Sequence, residues 1–259
     1  MGFFRNMIEA DRNNERADKI NITAFERMQE SKAKQQEAKE KMENSFEKLA
    51  NRKKGILMTS MKSFLDIFDK IMKIDFERGD DITEILSNNI TSQVITEARE
   101  MSVNASSYQL TDGQSFATFI KGGISGIIRK DSEINLSVAK MRRKQADVLE
   151  TQSEIICIAM NNVTDTLNKV SDILAKLNIV FMKSIKTCDL LIEENGTNRL
   201  NYSKADKEKL MTCINIASAI KQILDTKLIN ENGELTEQSV QAISIGDECL
   251  KKINETINM

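Results

Sequence analysis

One run of apolar residues constrains the fold of this chain more than any other feature. Apolar side chains recur at alternating steps of four and three residues over more than three heptads, at Ile156, Met160, Val163, Leu167, Val170, Leu174, Leu177 and Phe181. This is the a/d spacing of a helix that packs along at least one other helix. The sequence therefore predicts a long coiled-coil-type helix through this region.

A second apolar stripe with the same spacing lies nearer the N-terminus. Its members are Leu57, Met61, Phe64, Phe68 and Ile71. The chain has no proline among its 259 residues, so the residue that most often breaks a helix is missing. We expect one helix from Arg5 to Arg78, with a weak point at Gly55, because a glycine is costly inside a helix.

Turn signals divide the remaining chain into further helices. Gly79 and Asn195-Gly196 are stop signals, and Ser203 and Thr236 are start signals. The predicted helices cover 5–78, 82–101, 113–194, a segment from 203 and a segment from 236, with a loop over 102–112. The fold class that follows is all-α: a five-helix bundle with two long coiled-coil-type helices and no β-strand.

The last two helices each carry a candidate buried face. The fourth helix has Leu210, Ile214, Ala217, Ile220 and Leu224 on one side. The fifth has Val240, Ile243, Leu250, Ile253 and Ile257. This spacing is typical of helices that bury one stripe against a bundle.

The first half of the N-terminal helix has a different character. Residues 29–44 (QESKAKQQEAKEKMEN) are almost all polar, so this part has little to bury and is expected to project or to pair weakly. We therefore predict two regions: a projecting polar helical arm with an apolar N-terminal tip over residues 1–50, and a helical bundle over residues 51–259.

Composition argues against most enzyme classes. The chain has no histidine and no tryptophan, so it lacks Ser–His and Cys–His nucleophile pairs and imidazole acid–base chemistry. The four cysteines form no Cys-x-x-Cys pair, and we expect reduced thiols. The expectation is a non-enzymatic protein without a metal or other cofactor.

Two sets of carboxylates are candidate metal ligands. Asp80-Asp81-Ile82-Thr83-Glu84 has the DDxxE form of the aspartate-rich magnesium motif of all-helical terpene and prenyl synthases, but a helix cap at Asp81 explains the same residues. The other set is Asp147, Glu150 and Glu154. These flank the heptad seam, where solvated positions are the ordinary interpretation.

The charge distribution argues against nucleic acid as a partner. The chain has 37 basic and 39 acidic residues, with no basic face that would favour nucleic acid. It has no signal peptide and no stretch of about 20 apolar residues that could span a membrane. We expect a cytoplasmic protein without a nucleic-acid partner, and contact with a membrane surface stays an open alternative.

The segment over residues 115–130 (SFATFIKGGISGIIRK) is the most apolar stretch outside the seams. It holds Gly122, Gly123 and Gly126. Gly122 and Gly126 lie one helical turn apart, and this spacing either allows another helix to approach closely or marks a kink. Alternatively, an apolar tip flanked by Arg129 and Lys130 inserts into a membrane interface. The candidate contact residues are Phe116, Phe119, Ile120, Gly122, Gly123, Gly126 and Ile127.

The N-terminal tip presents the same choice. Phe3, Phe4, Met7 and Ile8 share one face of a short helix, and the polar stretch that follows cannot bury them. They pack on the bundle or on a second copy, or they form a membrane foot.

The Met-Gly-aromatic-Phe opening, followed by long charged helices without proline, resembles the phage-shock-protein A and ESCRT-III membrane-remodelling families. The long helices with one glycine-containing apolar segment resemble α-helical pore-forming toxins. We predict a coiled-coil scaffold protein that associates with itself or with another helical protein, at or away from a membrane surface. The alternative is a pore-forming protein that uses residues 115–130.

Overall fold

The computed structural model describes residues 2–77, 82–83, 92–105, 139–230 and 234–257. Within these ranges the protein is an all-α helical bundle without a β-strand. The nearest approach to a sheet is one antiparallel bridge between Ile229 and Leu235. The predicted fold class is confirmed.

Six α-helices occur in the described ranges, and the first two are continuous through a π-helical turn at Leu57–Met61, so the chain has five separate helices there. The helices are α1 (Gly2–Ile56), α2 (Lys62–Ile71), α3 (Ser92–Val103), α4 (Ala139–Asn195), α5 (Lys204–Asp225) and α6 (Glu237–Ile257).

The contacts divide the chain into two compact units. Unit 1 comprises Met1–Ser45 and Ile120–Asp165, and unit 2 comprises Phe46–Phe119 and Thr166–Met259. Residues 15–45 of the polar arm therefore lie in one unit with residues of α4, and the arm pairs with that helix. Small side chains make this pairing possible, because Ala24 and Ala38 are buried on an otherwise polar helix.

Both predicted apolar stripes are buried where they meet in unit 2. Leu57, Met61, Phe64, Phe68 and Ile71 are all buried, and so are the seam residues from Leu167 to Phe181. The seam begins in unit 1, where Met160 and Val163 are buried and Ile156 is half-buried. The ring centroids of Phe64 and Phe181 are 5.5 Å apart, a distance at which two aromatic rings attract each other. The heptad prediction is confirmed.

The first long helix and α4 run parallel in unit 2. The Arg52 guanidinium donates to the Ser171 carbonyl at 2.8 Å, and the Ser60 hydroxyl donates to Asn178 at 2.5 Å. Further along both helices, the Lys70 ammonium pairs with Asp189 at 2.5 Å. As the residue number rises along the first long helix, the residue number of the contacting residue on α4 rises as well, so the two helices point in the same direction.

The weak point predicted at Gly55 takes the form of the π-helical turn. The backbone stays helical through Gly55 and widens at Leu57–Met61. The Ser102 hydroxyl of α3 donates to the Leu57 carbonyl at 2.9 Å. Such turns shift carbonyls out of the regular hydrogen-bond pattern, and α3 satisfies one of them.

Two helix ends follow the predicted signals, at Gly196 and at Ser203. Gly196, with φ of 69°, ends α4 and its amide donates to the Ile192 carbonyl at 2.9 Å; glycine adopts this left-handed conformation at little cost. Ser203 and Asp206 form a reciprocal capping box at the start of α5. The Ser203 hydroxyl, donating to Asp206, holds the pKa of that carboxyl below its usual range.

Three expectations differ from the structure in detail. The helix predicted to run from Arg5 to Arg78 ends at Ile71, where a turn follows. The predicted loop from Ser102 begins later, because α3 continues to Val103. The face predicted for α6 is partly wrong: Val240 is 68% exposed, and Ser239 and Ala242 are buried in its place. Small residues take this position because α6 packs close to its neighbours. The start of the helix predicted at residue 113 lies outside the described residues.

Candidate interaction surface

Unit 1 brings the polar arm beside the first part of α4. The Arg27 guanidinium pairs with Asp147 at 2.8 Å and with Glu150 at 2.6 Å. Further along, the Ser153 hydroxyl donates to the Ser31 carbonyl at 3.1 Å. These contacts again run in parallel. Two of the three carboxylates weighed as metal ligands thus serve as ion-pair partners of one arginine.

The described helices of unit 1 have a core of alanine, methionine and valine, and they expose several larger apolar side chains. Their buried apolar residues are Ala24, Ala38, Met42, Ala146, Met160 and Val163. Five large apolar side chains are between 55% and 62% exposed: Ile22, Phe25, Val148, Ile155 and Ile158. Isolated exposed apolar residues are ordinary, whereas Val148, Ile155 and Ile158 recur at the spacing of one face of α4 and form a stripe along it.

The exposed residues of α4 lie opposite its buried face. Ala146, Ser153 and Met160 are buried and recur every seven residues. Val148 and Ile155 follow two of them by two residues, which is about 200° around an α-helix. In the sequence, these exposed residues form a second heptad series beside the stronger seam. The sequence analysis did not predict them as contact residues.

A groove of about 250 Å³ runs between α1 and α4 in unit 1. Lys34, Lys41, Glu150 and Glu154 are among its lining residues, and Cys157 is half-buried there. The Glu30 carboxylate, which accepts a hydrogen bond from Lys34, raises the pKa of that ammonium. The walls therefore carry charges of both signs, which suits a solvated surface better than a substrate pocket.

Unit 2 contains a lysine with an unusual position. Lys53 is fully buried, and its ammonium donates to the carbonyls of Leu224 at 3.1 Å and Thr226 at 3.4 Å. These carbonyls lie at the end of α5, where the last turn of a helix leaves acceptors without helical partners. A cation there also interacts favourably with the helix dipole. Lys53 is a helix cap.

The four cysteines are free thiols, as expected. Cys188 and Cys213 are fully buried between α4 and α5. The Cys188 thiol contacts the Lys209 carbonyl at 3.8 Å. The hydrogen bond with Cys213 and burial together raise the pKa of Cys188. Both thiols are shielded from solvent by the helices around them, so this pair belongs to the core.

A second groove, of about 440 Å³, lies between α5 and α6. Polar residues of both helices line it, among them Asn215, Gln222, Glu248 and Lys252. Cys249 is half-buried at this groove, and burial raises the pKa of its thiol.

Most of the sequence-predicted contact residues lie outside the described structure. Residues 106–138 are among these, and they include Phe116, Phe119, Ile120, Gly122, Gly123, Gly126 and Ile127. The candidate ligands Asp80, Asp81 and Glu84 also lie outside it. The backbone of the N-terminal tip belongs to α1, but the side chains of Phe3, Phe4, Met7 and Ile8 are not in the described part.

Two further findings come from the described ranges. They contain no cluster of three or more carboxylates or cysteines that could hold a metal ion, and none of their helices has the length and apolar character needed to span a membrane. No family model, no curated protein and no solved structure matches this chain.

Proposed function

We propose that this protein is a non-enzymatic helical scaffold that associates with itself or with other helices and works at a membrane surface. The observation that carries the proposal is the pattern of burial in unit 1, where the described core is mainly alanine and methionine while Ile22, Phe25, Val148, Ile155 and Ile158 are exposed. Covering each of these side chains would contribute roughly 1.5–3 kcal/mol. A surface of this kind favours association over solvent exposure.

In this proposal the long parallel helices form the supporting body. Arg27, Lys48 and Lys70 join the first long helix to α4 by ion pairs within the two units. The working ends are the apolar tip with Phe3 and Phe4 and the glycine-rich segment over residues 115–130. The pore-forming alternative depends on that same segment, and no described residue favours it over a scaffold.

Two measurements test the proposal together. Sedimentation velocity over about 1–100 µM is expected to give a mass that rises above that of the monomer. Flotation with anionic vesicles at low and high salt is expected to carry the protein upward at both salt concentrations, because apolar insertion is not screened by salt. A protein that stays monomeric and does not float would overturn the proposal.

The double variant Phe3→Ser with Phe4→Ser separates membrane binding from self-association. It is expected to reduce flotation and to leave the far-UV circular dichroism unchanged. Vesicle dye release is the matched assay for the pore-forming alternative: release at concentrations where a scaffold only binds would favour a pore.

A further inference from the structure

The exposed face of α4 in unit 1 has a more regular pattern than its apolar residues alone indicate. Its exposed positions alternate steps of four and three residues, the a/d spacing of a coiled coil. The series, which we call the outer seam, is Lys144, Val148, Thr151, Ile155, Ile158, Asn162 and Asp165. All seven residues are exposed.

Within unit 1, which ends at Asp165, the charges of the outer seam are confined to its two ends. The same spacing continues into unit 2 with Lys169 and Asp172, which pair there with Asp247 and Lys48. Lys144 lies 11 residues before Ile155, and Asp165 lies 10 residues after it. The five positions between them are uncharged. The neighbouring carboxylates Asp147 and Glu150 lie toward α1, where they pair with Arg27.

We infer that the outer seam is a docking surface for a second copy of this chain, paired antiparallel about a two-fold axis near Ile155. An antiparallel copy brings Lys144 of each chain opposite Asp165 of the other, so each end meets the opposite charge. A parallel copy would place lysine beside lysine and aspartate beside aspartate, which is unfavourable. The inference rests on the proposed scaffold function.

The spacing of the outer seam allows two copies of it to pair in opposite directions. Read from Lys144 upward and from Asp165 downward, the seven positions agree to within one residue, or about 1.5 Å along the axis. Ile155 then meets its own counterpart, and Ile158 of each chain lies opposite Thr151 of the other. A two-fold interface requires this kind of self-complementary surface.

The shape of the seam favours a helix over a lipid surface as its occupant. A helix that lies in a membrane interface has a broad apolar face, whereas the outer seam has three apolar residues among seven and is one a/d stripe wide. Thr151 and Asn162 within the stripe suit a helix partner, because polar a/d residues are used in coiled coils to set register.

The first test compares the dimerisation constants of seam variants by sedimentation. Ile155→Lys with Ile158→Lys is expected to weaken dimerisation by at least about 100-fold. Lys144→Glu alone should weaken it by about fivefold, and Lys144→Glu combined with Asp165→Lys should restore most of the loss. The matched control is Val240→Lys, a 68% exposed position on α6 in unit 2, which should change nothing.

Cross-linking tests the orientation in the full chain with Cys157→Ser and Cys249→Ser, which remove the half-buried thiols. Two copies of the Ile155→Cys variant should cross-link to each other through a short bis-maleimide. Lys144→Cys should cross-link only when mixed with Asp165→Cys. Self-cross-linking of Lys144→Cys would show a parallel dimer and overturn the inference.

The remaining outcomes separate this inference from the proposed function. A dimer that survives the substitutions at Ile155 and Ile158 would overturn the outer seam but leave self-association intact. A monomer that floats with vesicles would overturn the inference and leave the membrane scaffold standing. A monomer that does not float would overturn both.

Discussion

At the scale of single residues, Lys53 shows how a charge is accommodated inside an apolar bundle. Burying an ammonium is costly unless hydrogen bonds replace its hydration. Carbonyl oxygens at the end of α5 provide acceptors at 3.1 and 3.4 Å. The lysine thus completes a helix on another part of the chain, and its contribution to stability should be measurable.

Lys53→Met keeps the length of the side chain and removes its donors. We expect the free energy of unfolding to fall by about 2 kcal/mol, because buried carbonyls lose a charged hydrogen bond. Urea denaturation followed by circular dichroism measures this change. Lys48→Met is the control: Lys48 is exposed and lies 3.5 Å from Asp172, and a surface pair contributes less than about 1 kcal/mol. Equal effects of the two substitutions would contradict the cap.

At the scale of elements, the approach of α6 to α4 is decided by one glycine. A Cβ atom placed on Gly246 would lie 2.2 Å from Cγ2 of Ile173, well inside van der Waals contact. The Cγ2 atom is held by the branched side chain and cannot swing away. The absence of a side chain at Gly246 therefore lets the two helices pack closely.

Gly246→Ala is expected to lower the free energy of unfolding by about 1–3 kcal/mol through overpacking, despite the better helix propensity of alanine. Gly55→Ala is the matched control, because nothing lies within 4 Å of a Cβ placed there; it should raise stability by up to about 1 kcal/mol. Thermal or urea unfolding gives both values. If Gly246→Ala were as stable as Gly55→Ala, the close approach would be excluded.

At the scale of the whole molecule, the two compact units differ in what they bury. Unit 2 has a continuous core with Phe64, Phe181 and the apolar face of α5. The described part of unit 1 buries mainly alanine and methionine. A smaller apolar core gives a lower free energy of local opening.

Hydrogen exchange should therefore distinguish the units. At low protein concentration, we expect amides of residues 24–42 to exchange at least about tenfold faster than those of residues 167–181. Mass spectrometry of peptic peptides measures both segments in one sample. Equal protection in the two segments would contradict a difference in local stability.

Much of this architecture was predictable from local patterns. The absence of proline and the heptad spacing predicted long helices, and the burial of Leu57, Phe64, Leu167 and Phe181 confirms the predicted faces. Gly196 and Ser203 mark helix ends where the sequence places them. These features were accessible because helix periodicity and capping depend on residues only a few positions apart.

The outer seam was harder to find from the sequence. Ile155 and Ile158 lie beside the stronger seam residues Ile156 and Met160, and a string of apolar letters does not say which of two neighbouring stripes will be covered. Val240 was misassigned for the same reason, since the buried side of α6 contains Ser239 and Gly246, whose small size matters only against a neighbour.

The sequence by itself determined that this chain is helical, roughly where its helices end and which stripe of each long helix is strongly apolar, because these properties follow from local spacing. The tertiary structure decided that α4 pairs in parallel with the first long helix, that Lys53 caps α5, and that the outer seam stays exposed. An a/d stripe is compatible with a partner in either direction, so only long-range contacts select the partner and its orientation.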